Sequence, residues 1–218
     1  MIKMNNLPFV SLIIPCRNEE NFIEGCLNTI FLQDYPKDKF EVILVDGDSN
    51  DKTIEKASVY ENVKIISNLK KIVPISMNLG IKLSSGSYII RIDVHCEYPK
   101  NYIYSLVTNS IRLNCDNIGA VIRTLPLNDS SEAKAIALAI SHPLGVGNSY
   151  FRVGSKIIRE VDTVPFGCYK REVFNNIGLY DEDLIRNQDD ELNARLIQNK
   201  GKIILLPDLV VNYYSRAV

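Results

Sequence analysis

Three apolar runs constrain this chain most: "FVSLIIP" (Phe9–Pro15), "FEVILVD" (Phe40–Asp46) and "YIIRID" (Tyr88–Asp93). A strand with one face in water alternates polar and apolar residues. Near-continuous apolar runs belong to strands covered on both faces, which is the condition of a parallel sheet. The intervening segments agree. "NEENFIEGCLNTIFLQ" puts Phe22, Ile23, Cys26, Leu27, Ile30 and Phe31 on one helical stripe, with Glu19 and Glu20 as an acidic first turn. "NDKTIEKASVY" predicts a second helix and "VKIIS" a third strand. Pro74 suits the first turn of a helix that runs to about Ser85 and is closed by Gly86. A helix from about Pro99 turns Tyr102, Ile103, Leu106, Val107 and Ile111 inward. Strands alternating with helices of this length predict an α/β fold, a mostly parallel sheet with helices on both faces.

The second half is less regular. "GAVIRTLPL" reads as a strand and "SSEAKAIALAIS" as a helix. The glycine-rich stretch from His142 to Pro165 is long for a connection and suggests a mobile, functional loop. "REVFNNIG" and "DDELNARLIQNKG" read as short helices, the second closed by Gly201, and "KIILLP" and "LVVNYY" as two final strands. No repeat or linker interrupts the chain, so residues 1–218 read as one domain.

Composition narrows the function classes. Apolar residues make up 46% of the 218, enough for a sizeable core, and the net charge of -1 gives no basic footprint for nucleic acid. Five widely spaced cysteines without a C-x-x-C pair argue for reduced thiols and a cytoplasmic setting. The N-terminus reads as a first strand and not as a signal peptide. No run approaches the 18 apolar residues of a membrane span. The chain stops directly after a strand-like segment, so a trimmed C-terminus is expected.

In open α/β sheets, ligands bind at the carboxyl ends of the strands. Those ends here read "PCRNEE", "DGDSND" and "DVHCE", and neither G-x-G-x-x-G nor G-x-x-x-x-G-K-[ST] occurs. In extended backbone Asp93 and His95, two residues apart, point to one side and can meet on one metal ion. A carboxylate with an imidazole suits Mn²⁺, whereas Mg²⁺ leans towards oxygen ligands. Taken alone, the triplet equally describes a strand end followed by a surface histidine. "QDDEL" (Gln188–Leu192) likewise describes an acidic helix start favoured by the dipole. His142, before Pro143, reads as a cap or loop contact.

Read together and in order, "SLIIPCRNEENFIEGCLNTI", "VILVDGDSNDKT", "MNLGIKLSSGSYIIRIDVH", "VPFGCYKREVFNNIGLYDEDL" and "NQDDELNARL" are more specific. They resemble the inverting, GT-A-fold glycosyltransferases of family 2 type that use nucleotide sugars. "RIDVHCEYPKNY" and "SHPLGVGNSYFR" look like the subgroup that builds succinoglycan-type exopolysaccharides. The resemblance implies a Rossmann-related mixed sheet and transfer of a sugar from a nucleoside diphosphate sugar, of UDP type, to a polysaccharide or lipid-linked oligosaccharide hydroxyl. It also implies a divalent metal cofactor, Mn²⁺ or Mg²⁺, and a place at the inner face of the membrane. Subgroup members usually continue beyond this endpoint, so peripheral membrane association through a missing C-terminal part is expected; a homo-oligomer stays open as a partner.

The resemblance also implies roles. Pro15, Asn18 and Glu19 match the motif that holds the nucleoside, Asp46 the aspartate that recognises the base, and Asn78 the asparagine of "R-N-x-G". Asp93 and His95 match the metal motif D-x-D, with Asp93 also at the nucleotide. Asp189 matches the general base, with Gln188 in place of the usual glutamate and Asp190 and Glu191 beside it. Gly167 and, in the glycine-rich stretch, Arg152 are candidates for acceptor or lid contacts. Gly47 stands where a second aspartate is usual, and Met77 where a basic residue is common; Lys70 or Lys71 is then expected to supply that charge. Gln188 and Met77 leave a non-catalytic nucleotide-binding or assembly module of the same fold as the alternative reading.

Overall fold

The computed structural model describes residues 6–215. Lys3 and the last three residues, on which the readings of the two termini partly rest, lie outside the described residues. Strands β1 (Val10–Cys16), β2 (Phe40–Asp46), β3 (Val63–Ser67) and β4 (Tyr88–Arg91) form the parallel part of the sheet, in the order β3-β2-β1-β4. The short β8 (Cys168–Lys170) continues it antiparallel to both β4 and β6 (Asn117–Leu125). Next to β6 lies the parallel β9 (Ile203–Tyr214), which carries β5 (Cys96–Glu97) and β7 (Arg159–Glu160) antiparallel on it. The mixed, mostly parallel sheet expected from the sequence is the sheet observed.

Alternate residues of β1 feed two cores. Val10, Leu12 and Ile14 pack with α1 (Ile23–Phe31) and α4 (Tyr102–Leu113). Ile13 packs on the other face with α3 (Val73–Leu83), α8 (Arg171–Ile177) and α9 (Gln188–Gln198). All five cysteines are buried and unpaired, as their spacing suggests. No helix among the described residues is long and apolar enough to cross a membrane.

Several local expectations need correction. Helix α1 begins at Ile23, so Glu19 and Glu20 lie in the turn before it. Ile111 is 42% exposed because the inward face of α4 continues through Ser110 to Leu113 and passes it by. Gly86 does not close α3. A Cβ there would lie 2.5 Å from the backbone nitrogen of Ser11, so the glycine permits close approach of two chain segments. The left-handed residue after α9 is Lys200, and Gly201 is needed because a side chain would run into Leu196. The two final strands are one, β9, in which Pro207, Asp208 and Leu209 bulge out opposite Ala120 and Val121. Proline fits such a bulge because it has no N–H to donate. The stretch from His142 to Pro165 holds α6 (Pro143–Val146), α7 (Tyr150–Val153) and β7, after α5 (Ser131–Ala139). His142 caps α6: its Nδ1 accepts from Leu144 N at 3.2 Å.

Gly80 lies where α3 crosses β1, and a Cβ there would come within 2.5 Å of Ile13 Cγ2. Glycine to alanine in a helix normally stabilises by ~0.5–1 kcal/mol, but overpacking a tight core costs ~1–3 kcal/mol. Gly80→Ala is therefore expected to destabilise the chain in urea titrations; a gain in stability would show that the α3–β1 contact yields.

At the opposite end of the sheet from the strands' carboxyl ends, the Glu41 carboxylate accepts hydrogen bonds from Ser11 Oγ, Ser85 N and Ser85 Oγ at 2.7, 2.7 and 2.9 Å. Burial pushes its pKa up, but these hydrogen bonds outweigh burial and hold it below the ordinary carboxylate range. Folding thus favours the ionised form. That stabilisation is complete above the unfolded value of about 4.3 and is lost as pH falls through the lower folded value. Glu41→Gln is expected to destabilise at neutral pH, with the penalty shrinking below about pH 4. An equal penalty at both pH values in urea titrations would contradict this.

Candidate functional site

The carboxyl ends of β1, β2 and β4 open into three hollows that share walls. The first, about 360 Å³, is lined by Pro15, Arg17, Asn18, Gly47, Lys71 and Ser76. Arg17, Asn18 and Glu19 also wall the second, about 290 Å³, where His95 and Leu127 join them. His95 and Leu127 in turn wall the third, about 270 Å³, with Cys96 and Tyr214. Shared walls make the three a continuous trough, with a mostly polar lining in the first hollow and a more apolar one in the other two.

The trough is built on unusual backbone. Asn18, Asp48 and Lys71 have φ of 54°, 60° and 65°, and none of them is glycine. Such conformations cost free energy and cluster at functional sites. Hydrogen bonds hold them: Asn18 Oδ1 accepts from Asn50 N at 2.9 Å, and Asn18 N donates to Ser49 Oγ at 2.9 Å. Asp48 pairs with Lys71 at 2.6 Å, so Lys71 brings a charge to the rim. Met77 is buried in the core, 1% exposed. The Asp46 carboxylate is 7% exposed and accepts from Ser49 N at 3.1 and 3.3 Å.

Asp93 and His95 do not lie on extended backbone. Strand β4 ends at Arg91, and residues 93–96 form a turn closed by Cys96 N donating to Asp93 O at 3.2 Å. Asp93 Oδ1 accepts the His95 backbone N–H at 2.9 Å. The i, i+2 alternation argument therefore fails here, because a carboxylate next to a free N–H closes a local turn instead. The imidazole packs against Phe22, ring centroids 4.3 Å apart and planes tilted by 31°, and its Nε2 lies 2.8 Å from Glu19 Oε2. Among the described residues no three His, Cys, Asp or Glu side chains gather as a ready metal cluster. The donor types nevertheless suit a first-row divalent ion: the His95 imidazole and the Glu19 carboxylate share one wall of the trough, and the Asp93 carboxylate bonds the His95 backbone.

Asp189 lies outside the trough lining, in the first turn of α9, and its side chain is 17% exposed. Arg91 Nη1 donates to its Oδ2, and Tyr180 OH donates to Oδ1 at 3.4 Å. The neighbouring acids are engaged elsewhere. Asp190 accepts from Thr163 Oγ1 at 2.9 Å, and Glu191 pairs with Arg195 one turn on.

Three sequence assignments meet a different geometry. Asn78 is buried, and its amide bonds Tyr180 N and O at 3.0 and 2.9 Å and Glu182 at 2.9 Å, so it pins the 180–182 segment and not a ligand in the trough. Gly167 is small because a side chain would strike Asn117, and its carbonyl accepts from Arg91 N at 3.3 Å. Arg152 donates to Ile140 O at 3.3 Å and stacks on Phe151, which turns it towards the end of α5. Arg91, Arg17 and Tyr180 were given no role from sequence. A charge inside an apolar run was the available signal for Arg91, since buried charges are paired.

The family profile for glycosyl transferase family 2 matches residues 11–178. A dolichyl N-acetyl-alpha-D-glucosaminyl phosphate 3-beta-D-2,3-diacetamido-2,3-dideoxy-beta-D-glucuronosyltransferase of Methanococcus voltae is 32% identical, over 96% of this chain and 68% of that protein. The succinoglycan biosynthesis protein ExoA of Rhizobium meliloti is 31% identical, over 94% of this chain and 63% of that protein. Among solved structures, residues 1-349 of S. aureus TarS in complex with UDP-GlcNAc align with a TM-score of 0.75 at 20% identity, over 96% of this chain and 59% of that one. The mannosyltransferase PcManGT from Pyrobaculum calidifontis, in complex with GDP-Man and Mn2+, also aligns with a TM-score of 0.75, at 19% identity, over 98% of this chain and 59% of that one. The chain thus has the GT-A-type fold of these structures and spans about three fifths to two thirds of the length of its relatives. With the profile covering most of its length, this chain belongs to glycosyl transferase family 2.

Proposed function

We propose that the chain transfers a sugar from a nucleoside diphosphate sugar, of UDP type, to a hydroxyl of a polysaccharide or lipid-linked oligosaccharide, with inversion at the anomeric carbon. The observation that carries this reading is the trough at the carboxyl ends of β1, β2 and β4, where Arg17 and Lys71 share walls with Glu19 and His95. Two cations suit a diphosphate, and open α/β sheets take ligands at this edge. The nucleotide sugars held by the two solved relatives support the same ligand class.

Pro15, Asn18, Glu19 and Asp46 would frame the nucleoside at the ends of β1 and β2. Asp93 and His95, with Glu19 beside them, would hold the divalent ion, which when bound offsets charge on the departing diphosphate. Asp189 takes the acceptor's proton. Its Oδ2 is committed to Arg91 while Oδ1 has, among the described residues, only the long contact to Tyr180, so Oδ1 is the oxygen left for the acceptor hydroxyl. Attack from the face opposite the diphosphate inverts the anomeric centre without a covalent sugar–enzyme intermediate.

UDP with Mn²⁺ is expected to raise the melting temperature of the chain, and Asp93→Ala to remove that rise; no shift at millimolar nucleotide and metal would overturn the donor-site assignment. Asp189→Asn is expected to lower sugar transfer by about 10²–10⁴-fold, the usual contribution of a general base, while UDP affinity stays near wild type. Undiminished transfer would remove Asp189 from the role. Nucleotide binding with no turnover in the wild type would make the chain a binding module.

A further inference from the structure

We propose that Arg91 is the positioning residue of the base: it fixes Asp189 Oδ2 so that Oδ1 presents to the acceptor, and it ties the base to the strand that carries the donor-side turn. The inference rests on Asp189 being the base. Arg91 ends β4, two residues before Asp93, and is 7% exposed; Asp189 follows 98 residues later on α9. Their ion pair joins the two elements directly, and the Asp93 carboxylate also acts on the same guanidinium.

Stability alone does not call for this pair. A well-packed apolar pair often serves a core as well as a buried ion pair does. Nor is the arginine placed to satisfy itself, because its buried Nε has no hydrogen-bond partner among the described residues. Such an unmet buried group asks for a reason. What the placement does achieve is contact with Asp189, with the Phe166 ring behind the guanidinium at 5.5 Å. Phe166 adopts φ of 52°, a strained conformation for an aromatic residue. Tyr180 steadies the other oxygen of Asp189, and Asn78 holds Tyr180 by both its backbone N–H and its carbonyl. Two separate segments therefore meet on one carboxylate, and a third, α3, steadies one of them through Asn78. Orientation of this kind matters: displacing a reacting group by about 1 Å can cost about 10²-fold in rate. Lysine would keep the charge but lose the planar guanidinium that stacks on Phe166.

The test compares two nucleophiles on Arg91→Lys, with UDP-N-acetylglucosamine and GDP-mannose as donors. Water must lose a proton as it attacks the anomeric carbon, whereas azide bonds to that carbon with no proton to remove. In both cases the C–O bond to the diphosphate breaks and the nucleoside diphosphate leaves with the electron pair. Arg91→Lys is expected to lower donor hydrolysis by about 10–100-fold while leaving donor KM and the azide reaction within about twofold of wild type. Wild-type hydrolysis would overturn the proposal. So would equal losses with water and azide, or loss of the cooperative melt, since either assigns Arg91 to the donor site or to the fold. Asp189→Asn, run alongside, separates the two ideas: if it hydrolyses donor like wild type, the base assignment itself fails, whatever Arg91 does.

Discussion

Residues Ser11 to Ile14 of β1 are shielded from water on both faces, and a strand so placed is hydrogen-bonded along both edges. β2 lies parallel on one side with Cys16 opposite Asp46; β4 lies parallel on the other with Ile13 opposite Arg91. This register fixes where each strand runs out. All three chains leave the sheet at one edge, and each leaves it carrying polar residues that the interior of the sheet cannot hold. The site follows from that shared exit.

Beyond the exit, the backbone is held where glycine would be easier. Asn18, Asp48, Lys71, Phe166 and Asn187 all take left-handed conformations near the trough or the Asp189 helix, and none of them is glycine. Side-chain-to-backbone bonds such as Ser49 to Asp46 and Asn50 to Asn18 keep this arrangement in place. The interior contributes as well: a buried arginine, a buried tyrosine and a buried asparagine meet on the way from α3 to α9. In a chain under selection for stability alone these would be apolar positions.

The fold was legible wherever a run was long and covered on both faces, as in β1, β2 and β4. It was less legible where elements are short or interrupted. Strand β8 has three residues, too few to show a period, yet it sits between β4 and β6. Strand β9 reads as two because Pro207 and Asp208 break its apolar pattern at the bulge. At the site, motif order led to Pro15, Asn18 and Glu19 in the trough wall, but it could not say which way Asn78 or Gly167 faces. The direction of a side chain depends on what packs against it, and for Asn78 that is a segment about a hundred residues away. Arg91 shows the converse: its charge stands inside an apolar run, and only the fold reveals that Asp189 is its partner.

The most direct measurement is a crystal structure of the chain with an unreactive UDP-sugar analogue and Mn²⁺. The account predicts the diphosphate between Lys71 and the Asp93–His95 turn, with Asp189 Oδ1 on the face of the sugar opposite the leaving group. A nucleotide seated away from the β1, β2 and β4 ends, or Asp189 on the same face as the diphosphate, would contradict it.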